Sequence, residues 1–147
     1  MRSKTILAAI AIATAVSFGS SALAQESSYT RGNVLEVSGI VIKDGQFENY
    51  LDYLASTWKK VQELGVKEGM VVSYRVWQVN DARAGEPNLY LAVEYKDYRG
   101  TAQQDAFQKK VDSLLKMDQR GMDKASGDRG AMRTLSGQME MQELKLK

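Results

Sequence analysis

The sequence predicts an α+β domain: four strands and two helices in the order β-α-β-β-α-β, forming a four-stranded antiparallel sheet with both helices on one face. Three observations lead there. "MVVSYRVWQV", Met70 to Val79, alternates Met70, Val72, Tyr74 and Val76 against Val71, Ser73, Arg75, Trp77 and Val79. Successive side chains of a strand point to opposite faces, so this is a half-buried strand. A turn-rich stretch, "NDARAGEPN", separates it from a second alternating run, Leu89 to Lys96, and the two make a hairpin. Before and after the hairpin the apolar period becomes three and four residues. Phe47, Tyr50, Leu51, Leu54, Trp58, Val61 and Leu64 mark one helix, and Ala106, Phe107, Val111, Leu114 and Leu115 mark the other.

The remaining elements follow in chain order. Arg2 and Lys4, the apolar run Ile6 to Phe18 and the small-residue site ending at Ala24 form a secretory signal peptide over residues 1–24. The apolar run is too short and too rich in alanine for a membrane anchor. Residues 25–32 read as a flexible polar leader, and residues 33–147 as a single domain. Asn33 to Ile42, "NVLEVSGIVI", is the first strand, with Leu35, Val37 and Val41 on one face and Val34, Glu36, Ser38, Ile40 and Ile42 on the other. Gly65 and Gly69 are both suited to stop the first helix. Thr101 with Gln104 three residues on matches a capping box opening the second. Arg120 to Met132, polar and rich in glycine, reads as a loop that could act as a lid. Arg133 to Leu146 then alternates Leu135, Met139 and Met141 against Ser136, Gln138, Glu140 and Gln142, and reads as a final edge strand.

Composition narrows the chemistry. Removing 24 of the 147 residues leaves 123, enough for one core. Two of the 20 basic residues leave with the signal and none of the 18 acidic ones, so the mature chain is formally neutral. No basic stripe points to nucleic acid, and no membrane contact is expected after cleavage. With no cysteine, the exported chain has no disulfides to staple it. The absence of histidine as well excludes Ser-His-Asp and Cys-His sites, histidine-ligated haem and ordinary zinc sites. No cofactor and no metal are expected. Met139 and Met141 could in principle offer thioethers to Cu(I), but a face shared with Leu135 reads as core, where methionine fills gaps.

Right-handed crossovers around the middle hairpin lead to the ferredoxin-like plait. The helices are then expected to cover Leu35, Val37, Val72, Tyr74, Val76, Leu91 and Val93. The opposite, open face would collect Glu36, Ser38, Ile40, Ser73, Arg75, Trp77, Tyr90, Glu94, Gln138 and Glu140. Through "VLEVSGIVI", the helix "FENYLDYLASTWKKVQELG" and the hairpin "VVSYRVWQV … NLYLAVEYKD", residues 33–146 resemble the dimeric α/β-barrel superfamily. That resemblance implies a homodimer in which two plaits meet open face to open face. It does not choose a function, because the superfamily spans monooxygenases, isomerases, haem enzymes and stress proteins. The absence of histidine makes the haem enzymes poor models.

The candidate residues for a ligand site or dimer face are Glu36, Ser38, Ser73, Arg75, Trp77, Tyr90 and Glu94. A buried guanidinium needs a carboxylate, so Arg75 is expected to pair with Glu94 or Glu36, within a sheet or across the two-fold. As a structural feature that pair fixes dimer register; as a functional one it is an anion clamp or a base. Trp58 is expected in the core. The functional expectation is an exported, periplasmic or secreted, non-enzymatic homodimer holding a small, partly apolar ligand at its open sheet face. The alternative is a cofactor-independent monooxygenase- or isomerase-like enzyme.

Overall fold

The structure, a computed structural model, describes residues 26–147, so the expected signal peptide lies outside the described residues. Strand β1 (Tyr29–Ile42) is followed by helix α1 (Phe47–Tyr53), which runs through a π-helical turn (Leu54–Trp58) into α2 (Lys59–Lys67). Strands β2 (Val71–Gln78) and β3 (Leu89–Tyr95) form the hairpin. Helices α3 (Thr101–Leu115) and α4 (Gln119–Asp128) and a 3-10 turn (Arg129–Ala131) lead into β4 (Arg133–Leu146). The sheet is antiparallel throughout, in the order β2-β3-β1-β4. This is the plait topology, with one helix more than expected. No helix among the described residues is long and apolar enough to cross a membrane.

The core lies between the helices and one sheet face. Ile40, Ile42, Tyr50, Leu54, Leu89 and Leu91 make one cluster, and Val34, Val71, Val93 and Tyr95 a second. Trp58 packs against both and meets the Tyr74 ring edge-on at 5.6 Å, as its place on the apolar side of the helix led one to expect. Gly69, at φ +71°, ends the helix. Gly65 serves differently: it sits inside α2 where a Cβ would come within 2.5 Å of Val71 Cγ2, so it lets helix and sheet approach closely.

Four expectations are corrected. The faces of β1 are inverted: Val34, Ile40 and Ile42 turn to the helices, and Leu35 and Val37 to the open side, because Leu35 pairs with Glu94 and Val37 with Ala92. Strand β4 inverts with it over its methionines, for Met141 lies opposite Leu35 and Met139 opposite Val37, whereas a register shift between Gly39 and Ile40 sets Leu135 opposite Ile40, on the helix side as expected. In β2 an irregularity between Val71 and Ser73 makes Val71, not Val72, the buried residue. The stretch expected as a loop is mostly α4, whose first turn is capped by Asp118 accepting from the Gly121 amide at 2.8 Å. Two smaller differences concern ends. β1 starts at Tyr29, opposite Leu146, so half of the 25–32 leader is strand. Thr101 does not form a capping box; α3 is entered through Gly100, and the Gln104 amide donates to the Arg99 carbonyl.

Candidate functional site

Five of the seven candidate residues share the open face. Ser73 stands opposite Glu94, and Trp77 opposite Tyr90, with Arg75 between them on β2 opposite Ala92. The Glu94 carboxylate accepts from Asn33 Nδ2 at 2.7 Å and from Ser73 Oγ at 2.6 Å, and Arg75 donates to that same Ser73 oxygen at 3.2 Å. Within one chain Arg75 therefore reaches Glu94 through Ser73 and not by a direct pair. The two donors from Asn33 and Ser73, with the more distant charges of Arg75 and Lys145, hold the Glu94 carboxyl below the usual range. A depressed folded pKa stabilises the fold above the ordinary carboxylate range, and that share is lost as pH falls through the folded value. Asn33→Ala with Ser73→Ala should therefore raise the Glu94 pKa toward that of a free side chain, read by carboxyl NMR titration. An unchanged pKa would mean that the charges, not the hydrogen bonds, set it.

Around this network the open face is apolar and exposed. Trp77 is 57% exposed, Met139 53% and Met141 43%, and Leu35 and Val37 lie beside the methionines. The methionines thus stand on a bare face rather than in the core. Among the described residues no group of three or more His, Cys, Asp or Glu is placed to hold a metal.

Glu36 and Ser38 are on the other face, opposite Val93 and Leu91. The inversion of β1 put them there, and Glu36 is tolerated under the helices because it is paired. Its carboxylate accepts from Arg99 at 2.7 Å and from Gln138 at 2.7 Å. The Arg99 guanidinium lies 3.8 Å from the centre of the Tyr95 ring. Burial, and secondarily the Glu36 charge, push the Tyr95 phenol up to about 12. Arg99 Nε is buried without a hydrogen-bond partner.

Beside this group, between the helices and the sheet, lies a cavity of about 560 Å³. Its walls include Tyr53, Trp58, Phe107 and Tyr95, with Met70, Met117, Met122 and Met132. Gln62, the one polar residue in the buried set, also lines it, as do Arg99, Asp128 and Arg129. The π-helical turn carries Thr57 and Trp58 to the wall, and α4 closes the side with Met122 and Ala125. None of the seven candidate residues for a ligand site or dimer face lines it. The signals are nevertheless present in the sequence: Trp58, Val61 and Phe107 lie on the apolar sides of the two helices, and Met122 and Ala125 stand at helical spacing within the glycine-rich stretch.

Fold and site together define a ferredoxin-like α+β chain with a bare apolar sheet face on one side and an aromatic, methionine-rich cavity on the other. No protein-family model matches the sequence, and no curated protein matches it. Among solved structures the chain is similar to HapK from Hahella chejuensis, at 12% identity over 75% of this chain and 91% of that one, with a TM-score of 0.48. A dimeric ferredoxin-like protein from an uncultured marine organism is 8% identical over 80% of this chain and 90% of that one, TM-score 0.49. A dimeric ferredoxin-like protein of unknown function from Thermobifida fusca is 11% identical over 78% and 92%, TM-score 0.42.

Proposed function

We propose that the mature chain is an exported, non-enzymatic homodimer that holds a small, partly apolar molecule in the cavity between helices and sheet. The cavity carries this reading. Its volume lies in the usual range for small-molecule sites, and apolar walls with a few polar groups are what such sites present. The cavity opens to solvent, so a small molecule can enter it, and a bound one would remove its apolar walls from water. The ligand position therefore moves from the open sheet face to the opposite side. The open face is left to a second copy of the chain, since a continuous patch of Leu35, Val37, Trp77, Met139 and Met141 calls for a cover. Export rests on the residues of the signal peptide.

Turnover is less well supported. Glu94 has its pKa lowered, and it stands on the face away from the cavity. Glu36 is held by Arg99 and Gln138. A carboxylate base working near neutral pH needs the opposite shift. The test is native mass spectrometry of the mature chain purified from its own compartment. The expected spectrum shows a dimer with an added small mass, and Ala125→Trp, which fills the cavity, removes that mass. A bare chain, or an added mass indifferent to Ala125→Trp, overturns the cavity reading.

A further inference from the structure

We infer that the cavity selects an amphipathic anion, a molecule with an apolar body and one carboxylate-like group, and that Arg129 holds the charged end. This deepens the proposed binding function and rests on it. The argument starts from the charges on the cavity wall, which are Arg99, Asp128 and Arg129. Arg99 is neutralised by Glu36 at 2.7 Å and pinned on Tyr95. Asp128 is taken by Lys124 at 2.8 Å. Arg129 has no carboxylate within 4 Å among the described residues, and its guanidinium lies 4.8 Å from the centre of the Tyr53 ring. It is only partly exposed.

A partly desolvated cation beside an apolar space makes an anion the complementary guest, because its attraction is screened less than at an open surface. The planar fork of donors on a guanidinium suits a carboxylate in particular. Two features act against an anion here: the Asp128 carboxylate next in sequence and the C-terminal end of α4, whose carbonyls are partly negative. Lys124 offsets the first, and the second acts first on Arg129 itself, the C-cap of α4, where it favours the cation that would hold the guest. The apolar body would lie along Trp58, which bridges both core clusters, toward the Tyr95 end. Arg129 belongs to the segment at the end of α4, the helix the simple plait does not require, so the selectivity is a property of this addition to the fold.

The experiment compares decanoate with 1-decanol as probes, using the full mature chain carrying Trp77→Phe so that Trp58 is the only indole. Binding is read from Trp58 fluorescence. Decanoate should bind about tenfold more tightly than 1-decanol, the size of one charge-assisted contact. Arg129→Gln should bring the two affinities together, and Arg129→Lys should retain part of the gap. Equal affinities in the parent chain overturn the anion inference while leaving the cavity a binding site. A gap that survives Arg129→Gln overturns the assignment to Arg129. Failure of both probes to bind overturns the inference together with the binding function beneath it.

Discussion

Tyr50→Ala should lower the stability of the fold by about 3–5 kcal/mol, the usual loss when a fully buried aromatic ring is removed. Tyr50 is only 1% exposed and is among the largest wholly buried side chains. It sits in the cluster with Ile40, Ile42, Leu54, Leu89 and Leu91, and so joins α1 to both central strands. The Tyr53 ring stacks on it at 5.8 Å, and the Arg133 guanidinium from β4 lies 6.0 Å from its centre. Deleting the ring therefore removes apolar burial and frees neighbours on three elements that cannot all collapse inward. Thermal unfolding should show a midpoint roughly 10–25 °C lower. Tyr50→Phe keeps the ring and should cost about 1 kcal/mol or less, although burial raises the phenol pKa. A loss below about 1 kcal/mol for Tyr50→Ala would show that the helix layer does not depend on this contact.

Tyr50 also illustrates what was readable beforehand. Its place in a run of three- and four-residue steps put it on the core side of a helix, and the hairpin declared its faces because Ser73, Arg75 and Glu94 oppose Tyr74, Val76 and Val93. The order of the four strands followed from crossover rules that need no side-chain detail. β1 was ambiguous for a physical reason. In "VLEVSGIVI" both alternating sets contain three aliphatic residues, and the set holding Glu36 and Ser38 looked the more polar. A long-range pair decided otherwise: Arg99, 63 residues away, neutralises Glu36 beneath the helices. Period alone carries no information about such a partner. Strand β4 followed β1, since its face is set by the partner it pairs with. Helix α4 was hidden by Gly121 and Gly127, which weaken a helix in isolation, while its Met122 and Ala125 gain the cavity wall only once the fold exists. The cavity was beyond reach for the same reason, being made by residues of all four helices and of strands β2 and β3 that look like ordinary core.

The inversion of β1 and β4 leads directly to the second large effect. Met139→Glu should convert the proposed dimer to a monomer, weakening association by at least about 100-fold, while leaving the unfolding midpoint of the isolated chain nearly unchanged. The residue is on an edge strand and more than half exposed in the single chain, so a carboxylate there is solvated and costs the monomer little. In a dimer closed over the open face, the same carboxylate would be buried beside Val37 of its own chain, and two-fold symmetry would introduce it twice. Each unpaired buried charge costs several kcal/mol, more than enough for the stated shift. Sedimentation or native mass spectrometry over a concentration series checks it. Gln138→Glu is the control: it lies on the same strand but on the helix side, where its amide donates to Glu36, so it should disturb that contact and leave association intact. If Met139→Glu remains as dimeric as the parent chain, the two copies do not meet through this face. Its exposed tryptophan and methionines would then have to be covered by something else.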